Sequence, residues 1–360
     1  MVLVDDENGP PASSATPAIS QERRNELNKA LHFMLAKMRC RGHALSCFLD
    51  EPPELIPLQT PPGDPTPDAS AGELVVNSSF RYSPRGEHPP ELGRRGPTMD
   101  GFLRGFPLAW IEDAGTGVWM PLWARGEAAG ALESLRAGEP APSTLSAPAR
   151  AALAAANVLV RPGGEDQRRQ RWEELCGAAR TQFQRLGYAV VRDVIDPGHV
   201  GALRRYYRGL VAGGMLPRGD DQVAERYRLH SEPVAMFFHP QLAPLTSRIA
   251  GEPVKPSYLY FSSYPAGSAL PRHVDRLQCE FSISLLIDYS PEPNGPCGWP
   301  LYFEHPDLPD GTATVDLALG DAVFYRGRQL AHYRDRLPDG HQSSSLFFHY
   351  VRADFVGDEF

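Results

Sequence analysis

The stretch Pro271-Arg272-His273-Val274-Asp275, read together with Leu330-Ala331-His332, decides the fold and the chemistry of the chain. Side chains alternate between the two faces of an extended segment, so His273 and Asp275 lie on the same face. We expect His332 to join them from a distant strand. Two imidazoles and one carboxylate cover one face of an octahedral ion and leave positions open, which suits Fe(II). His273, Asp275 and His332 are therefore the predicted catalytic metal ligands, although zinc and manganese accept the same donors.

The sequence around these residues is typical of short strands separated by turns. Tyr264-Pro265-Ala266-Gly267 precedes the His-x-Asp triplet, and an apolar run over 281–287 follows it. Six strands are predicted, over 256–264, 279–289, 300–304, 312–318, 321–326 and 343–352. Such a series favours an all-β sandwich or jelly roll over alternating βαβ units.

The order of these motifs along the chain resembles that of a known family. It comprises the Tyr-x-x-Gly segment, the His-x-Asp triplet, the strands, Gly320-Asp321-Ala322 and the distal histidine. They are similar to the 2-oxoglutarate/Fe(II)-dependent dioxygenase superfamily over roughly residues 185–352, closest to its prolyl-hydroxylase and phytanoyl-hydroxylase branches. The resemblance implies a C-terminal double-stranded β-helix (jelly roll) with flanking helices. It also implies a reaction that decarboxylates 2-oxoglutarate to succinate and CO2 and hydroxylates a C–H bond of the substrate.

One departure from the family concerns the residue that binds the far carboxylate of 2-oxoglutarate. The family usually has Arg or Lys on the last strand, where this sequence has Gly340-His341-Gln342-Ser343. A guanidinium suits a carboxylate better than an imidazole or an amide does. We therefore expect the contact from nearby residues: Arg326 and Arg334 first, Tyr264 as an additional hydroxyl donor, and Arg276 or His341 as alternatives.

The identity of residue 275 bears on the type of reaction. Halogenases of the superfamily have Gly or Ala there, which leaves room for chloride, so Asp275 favours hydroxylation. The expected substrate is an amino acid, a peptide or a natural-product intermediate. Two alternatives stay open: a cupin-like metal-dependent enzyme without 2-oxoglutarate, favoured by the missing arginine, and a non-catalytic peptide-binding or regulatory protein.

The N-terminal part of the chain has a different pattern. Residues 1–19 are expected to form a disordered tail, and residues 20–160 a small α+β accessory domain that adds substrate recognition or a homodimer contact. Within it we predict a helix after Ser20, a hairpin over 108–123, helices near 126–137 and 146–156, and a strand at 158–160. Arg161-Pro162-Gly163-Gly164 is the predicted boundary because Pro and Gly interrupt regular structure. The dioxygenase domain then spans 165–360 and begins with helices over 165–186 and 197–212.

Composition limits the classes of partner. With 360 residues, 42% apolar and 22% charged, the chain is globular and long enough for two domains. Its net charge of −8 argues against a general nucleic-acid binder. No signal-peptide profile and no apolar run of roughly 18 residues is present, so no membrane association is expected. Five scattered cysteines without a CxxC pair predict reduced thiols in a cytoplasmic protein rather than a zinc site.

Overall fold

The structure of the chain is a computed structural model that describes residue 49 and residues 73–357, apart from 97–106 and positions 125, 196, 215 and 309. The predicted tail and the helix predicted after Ser20 lie outside the described residues. Within the described ranges the α-helices are α1 (Pro90–Gly93), α2 (Gly126–Leu132), α3 (Ala147–Ala155), α4 (Gly164–Leu186), α5 (Pro197–Ala212), α6 (Pro233–Phe238) and α7 (Ala243–Ala250), with a 3-10 helix at Pro240–Leu242.

The strands of the same ranges include all six that the sequence predicts, with ends that differ by three residues or fewer. They are β1 (Val75–Val76), β2 (Arg81–Ser83), β3 (Leu108–Glu112), β4 (Trp119–Leu122), β5 (Leu159–Val160), β6 (Tyr188–Val191), β7 (Tyr227–His230), β8 (Val254–Tyr264), β9 (Leu270–His273), β10 (Phe281–Ser290), β11 (Leu301–Glu304), β12 (Thr312–Val315), β13 (Ala322–Tyr325), β14 (His332–Arg334) and β15 (Gln342–Arg352).

Strands β8 to β15 form a double-stranded β-helix. The larger sheet has the order β6-β13-β10-β15-β8-β7 and the smaller sheet the order β12-β11-β14-β9, with every pair antiparallel. Along the chain, β8, β10, β13 and β15 join the larger sheet, while β9, β11, β12 and β14 join the smaller one. Passage of the chain back and forth between two antiparallel sheets is jelly-roll topology, which confirms the predicted fold class.

Strand β10 lies between the hydrophobic core of the jelly roll and the space between its two sheets. Phe281, Ile283 and Leu285 belong to the same buried cluster as Phe183 of α4, so this face of the strand packs on the helices. Because side chains alternate along a strand, the serines between them point the other way, into the space between the two sheets. Ser284 accordingly lines the pocket that lies there.

Helices α4, α5 and α7 contribute to the cluster that covers the outer face of the larger sheet. Helix α4 ends at Gly187, whose φ of 73° is the left-handed conformation that glycine adopts without strain, and its N–H bonds to the carbonyl of Phe183 at 2.8 Å. None of the described helices combines the length and the apolar character that crossing a membrane requires.

The N-terminal described region has its own sheets and a small core of its own. The predicted hairpin is present as β3 and β4, which with β2 form a three-stranded sheet, and β1 pairs with β5. Leu74, Val76, Leu132, Leu153 and Leu159 are among the buried residues that pack between these elements. This arrangement matches the α+β class predicted for the region.

A second face of the N-terminal region packs directly on the jelly-roll half. Trp119 belongs to the same buried cluster as Phe183 and Phe281, and its backbone N–H donates to Gln241 Oε1 at 2.8 Å. Arg168 Nε lies 2.6 Å from Asp113 Oδ2 across the same contact. One apolar core therefore continues across the predicted boundary at 161–164, and whether residues 20–160 fold as an independent domain stays a prediction.

The shared core predicts that Trp119→Ala destabilises the jelly roll as well as the N-terminal region. Truncation of a buried tryptophan costs about 3–5 kcal/mol because it leaves a cavity. Hydrogen exchange of the β10 and β15 amides should accelerate by a corresponding factor. Leu153→Ala is the matched control, since Leu153 lies in the separate N-terminal cluster, and its effect should be confined to 74–159. Unchanged exchange in β10 and β15 of Trp119→Ala would mean two separate folding units.

Candidate metal centre

The structure brings His273, Asp275 and His332 together at one end of the smaller sheet. His273 ends β9, His332 begins β14, and the two residues face each other in the antiparallel register of these strands. Asp275 follows β9 by two residues, and its Oδ1 lies 3.5 Å from Nε2 of each imidazole. The two ring centroids are 4.3 Å apart. Three donor atoms thus converge on one point, as a metal ion requires.

Each imidazole is oriented by its own backbone. His273 Nδ1 lies 2.8 Å from the carbonyl oxygen of Pro271, and His332 Nδ1 lies 2.9 Å from that of Leu330. A ring nitrogen that faces a carbonyl oxygen carries the hydrogen, so Nε2 keeps its lone pair and points at Asp275. Burial lowers the pKa of His332 despite the nearby carboxylate, which favours the neutral imidazole that a metal binds.

The carboxylate of Asp275 is fixed by a chain of hydrogen bonds. Its backbone N–H donates to the carbonyl of Gly327 at 2.8 Å. Ser282 Oγ donates to Asp275 Oδ2 at 3.1 Å and lies 2.9 Å from His349 Nδ1. The serine has one hydrogen and gives it to the carboxylate, so it accepts from His349. Oδ1 is thereby left facing the imidazoles.

Asp275 is ionised in this setting. Burial would raise the pKa of the carboxyl group, but its interactions with the imidazoles of His273, His332 and His349 outweigh burial and lower the pKa to about 2. Burial lowers the pKa of His349 itself to about 4, so this imidazole is neutral near pH 7. The centre therefore offers one negative charge and two neutral nitrogens to a divalent cation.

Gly327 is a part of this centre that the sequence did not reveal. A Cβ built on it would overlap Asp275 Oδ2 and would lie 2.7 Å from the carbonyl oxygen of Cys279 and 2.8 Å from Ser282 Oγ. No side chain fits at this position unless the carboxylate moves. The only sequence signal is a glycine placed directly after the predicted strand at 321–326.

A pocket opens from the metal centre into the space between the sheets. Besides the three predicted ligands it is lined by aromatic, hydroxyl and cationic side chains, among them Tyr260, Tyr264, Ser284, Tyr325, Arg334 and Phe347. Two of the three residues predicted to bind 2-oxoglutarate, Tyr264 and Arg334, are therefore in the pocket.

Arg334 is a buried cation at the wall of this pocket. It is 7% exposed, its guanidinium lies 4.6 Å from the ring centroid of Trp299, and its Nη1 donates to the carbonyl of Trp299. Within the described part of the chain no carboxylate forms an ion pair with it. Burial lowers the pKa of Arg334, but a guanidinium stays protonated in proteins. A buried, unneutralised charge is costly, and an anion in the pocket would offset that cost.

Ser284 offers a hydroxyl group to the same pocket. Its Oγ is buried and has no hydrogen-bond partner in the described structure. Tyr264 adds a second hydroxyl, which accepts from Arg226 Nη1 at 3.0 Å and keeps its own hydrogen for another acceptor. Sequence reasoning missed Ser284 and Arg226. The alternation of Phe and Ile with Ser over 281–284 was the available signal for Ser284.

Arg326, the third predicted residue, lies outside the pocket. Its guanidinium is 5.0 Å from the ring centroid of Phe183 and 5.6 Å from that of Phe281, and its Nη1 is 3.8 Å from Glu252 Oε1. The reason is the alternation of side chains: Tyr325 points into the pocket, so the next residue points to the helices. Of the two alternatives, His341 Nδ1 bonds to the phenol of Tyr289 at 2.8 Å, and Arg276 is exposed just after Asp275.

No family model matches the chain, and no curated protein matches it. Solved structures do match. The chain resembles 2-oxoglutarate-dependent oxygenases of known structure.

Three of the matched structures illustrate the range. A Pseudomonas putida prolyl-4-hydroxylase is 20% identical, with 49% of this chain and 98% of that chain covered and a TM-score of 0.40. The non-haem alpha-ketoglutarate-dependent epimerase of nogalamycin biosynthesis is 21% identical, with 50% and 84% covered and a TM-score of 0.41. A Trichoplax adhaerens prolyl hydroxylase, in complex with a hypoxia-inducible factor peptide, is 12% identical, with 50% and 91% covered and a TM-score of 0.42. The jelly-roll assignment of the present chain rests on its own strand order and register.

The lack of space at Gly327 predicts that Gly327→Ala displaces the Asp275 carboxylate. The affinity for a divalent ion should fall at least about tenfold, the size of effect seen when the outer partners of metal ligands are disturbed. Calorimetric titration with Mn²⁺ or Co²⁺ measures it. Gly130→Ala is the matched control, because nothing lies within 4 Å of a Cβ there, and its affinity should equal that of the parent. Equal affinities for all three proteins would show that Gly327 does not support the carboxylate.

Proposed function

We propose that the chain is an Fe(II)- and 2-oxoglutarate-dependent oxygenase that hydroxylates an unactivated C–H bond and releases succinate and CO2. The observation that carries the proposal is the combination, in one pocket, of the His273, Asp275 and His332 donors with the buried guanidinium of Arg334, which has no carboxylate partner within the described residues. The donors suit a metal with open positions, and the cation suits an anionic co-substrate.

The three ligands fit Fe(II) by number, type and spacing. Two imidazole nitrogens and one carboxylate oxygen lie 3.5 Å apart in the pairs that include Asp275, close enough to share one ion. All three also line the pocket, so an ion bound to them would be open to it. Iron bound there would supply the activation of dioxygen, while the side chains of this protein position the reactants.

Arg334 and Ser284 are the proposed contacts of the far carboxylate of 2-oxoglutarate. A guanidinium neutralises the carboxylate and donates two hydrogen bonds, and the Ser284 hydroxyl, which otherwise lacks a partner, donates one more. Tyr264 lines the same pocket as an additional donor. The cation thus comes from β14, two residues after His332, and replaces the arginine that the related family carries on its last strand.

The remaining walls of the pocket would limit the access of water to the reacting atoms. Tyr260, Tyr325 and Phe347 line it with aromatic surface. Val274 and Leu277, which flank Asp275, are 52% and 58% exposed and form apolar surface beside the ligands. We propose an amino acid, a peptide or a natural-product intermediate as the substrate. Hydroxylation is favoured over halogenation because Asp275 fills the position that chloride needs.

The deciding experiment is an anaerobic titration of the protein with Fe(II) and 2-oxoglutarate. Chelation of the iron by the oxo-acid gives a weak visible charge-transfer band, which a metal enzyme without 2-oxoglutarate would lack. Substrate-free turnover to succinate, measured after admission of air, gives an independent readout. A protein that binds Fe(II) tightly but gives neither the band nor succinate would favour the cupin-like alternative.

Single replacement of the three ligands should remove iron binding without unfolding the protein. We expect His273→Ala, Asp275→Ala and His332→Ala each to lower iron-dependent turnover to below about a tenth of the parent rate, because an incomplete facial site does not hold the ion. Circular dichroism should be unchanged. His305→Ala and Asp307→Ala are matched controls of the same residue types outside the site. Retention of more than that fraction by all three ligand variants would overturn the assignment.

Replacement of Arg334 should weaken 2-oxoglutarate and spare iron. Arg334→Gln removes a charge-assisted contact worth about 1.5–3 kcal/mol, so the apparent constant for 2-oxoglutarate should rise roughly ten- to a hundredfold. The affinity for Fe(II) should stay the same because no ligand is lost. Arg326→Gln, whose side chain lies outside the pocket, is the control and should change neither constant. If Arg334→Gln and Ser284→Ala both leave 2-oxoglutarate binding intact, the carboxylate is bound elsewhere.

A further inference from the structure

A thiol and a phenol lie in contact beside the metal centre, and the proposed reaction uses neither. Cys279 Sγ is 3.0 Å from the phenolic oxygen of Tyr258 on β8. The cysteine is 1% exposed. Its sulfur, a carboxylate oxygen of Asp275 and a ring nitrogen of His349 all lie within 4.8 Å of one another. The pair therefore adjoins a residue that would hold the metal.

The contact is fixed from both sides. The N–H of Cys279 donates to the carbonyl of Arg276 at 3.0 Å, which closes a tight turn after the ligand loop. Ser257 Oγ donates to the carbonyl of Gln278 at 2.6 Å and so ties that turn to β8. On the other partner, the Tyr258 ring packs on the His349 ring with centroids 4.6 Å apart. The sulfur is thus held in contact with the phenol group, and such preorganisation favours reaction between the two side chains.

The other described cysteines have different surroundings. Cys297 Sγ donates to oxygen acceptors, Asp316 Oδ1 at 3.4 Å and the carbonyl of Trp299 at 3.8 Å. Cys176 lies on α4 in the apolar cluster. All three are buried, so an oxidant from bulk water reaches them poorly. Of the three sulfurs, that of Cys279 is the one that lies beside a residue that would hold the metal.

We propose that Cys279 and Tyr258 become joined by a thioether bond between Sγ and the ring carbon adjacent to the phenol carbon. The inference rests on the proposed function, because the bond forms by oxidation at the metal centre when no substrate is bound. The linked pair ties the loop that carries Asp275 covalently to β8.

The step balances as a two-electron oxidation of the pair. The thiol and the ring carbon each lose one hydrogen, and one C–S bond forms between them. Dioxygen is the oxidant and 2-oxoglutarate the co-reductant. One molecule of each, with the thiol and the arene, gives succinate, CO2, the thioether and one water. Of the four electrons that dioxygen accepts, two come from the decarboxylation and two from the Cys279–Tyr258 pair.

The test begins with the full chain prepared without oxygen and loaded with Fe(II) and 2-oxoglutarate, with the charge-transfer band recorded before air is admitted. After exposure to air without substrate, the intact mass should fall by two hydrogen atoms. Free thiols in the denatured protein should fall from five to four. Peptide mapping should recover the segments with Tyr258 and Cys279 as one species that reducing agents do not separate. Protein kept free of iron should retain all its thiols.

Variants separate the proposed bond from other oxidations. Cys279→Ser and Tyr258→Phe should both keep the charge-transfer band and both lose the change of mass. Cys297→Ser is the matched control and should still form the link, since its sulfur contacts no part of the pair. Loss of the thiol in Tyr258→Phe, or a gain of oxygen on Cys279 alone, would contradict the thioether.

The outcome also distinguishes this inference from the function on which it rests. A protein that shows the charge-transfer band and makes succinate, yet keeps five thiols after prolonged exposure to air, retains the proposed function and refutes the link. A protein that gives no band under any condition refutes both.

Discussion

The placement of one largely buried carboxylate, that of Asp275, is the constraint on which the site depends. Removing a carboxylate from water is costly unless hydrogen bonds and nearby positive charge replace the lost hydration. Here Ser282 donates one hydrogen bond, the backbone bond to Gly327 fixes the position of the loop, and the imidazole nitrogens face the carboxylate oxygen so that a cation bound between them would supply the positive charge. Position 327 must therefore be glycine, since any larger side chain would occupy the volume of the carboxylate.

The same strands provide both stability and chemistry because their two faces are used differently. On β10, Phe281, Ile283 and Leu285 bury apolar surface against the helices, while Ser282 and Ser284 face the site. A change on the outer face therefore acts mainly on the free energy of unfolding. A change on the inner face acts mainly on the ligands. The hydrogen bonds of the strand pairs keep the two sets in a fixed relation.

How far the sequence predicts this structure depends on whether the signal is local. The strand series of the second half and the hairpin at 108–123 were predicted correctly, since alternation and turn residues are local features. The convergence of His273, Asp275 and His332 was expected from the spacing and from the resemblance to a family.

The parts that the sequence could not predict depend on contacts between distant residues. Strands β9 and β14 have only four and three residues, too few for a pattern. Arg326 precedes His332 and Arg334 follows it, and the sequence does not show which of the two faces the pocket. The alternation of side chains along the strands directs Arg326 to the helices and Arg334 to the pocket. Gly327 and Ser284 acquire their roles from neighbours that lie across the sheet.

The contact of Trp119 and Asp113 with the jelly-roll half has a consequence for how such a chain is assembled in evolution or by design. The ring of Trp172 on α4 fits against Gly115, where a Cβ would lie 2.9 Å from it. A jelly roll transplanted from this chain would therefore carry an apolar helix face shaped for one particular neighbour. Recombination at 161–164 therefore gives a well-packed chimera only if the incoming N-terminal segment has an equally small residue where Gly115 contacts the indole of Trp172.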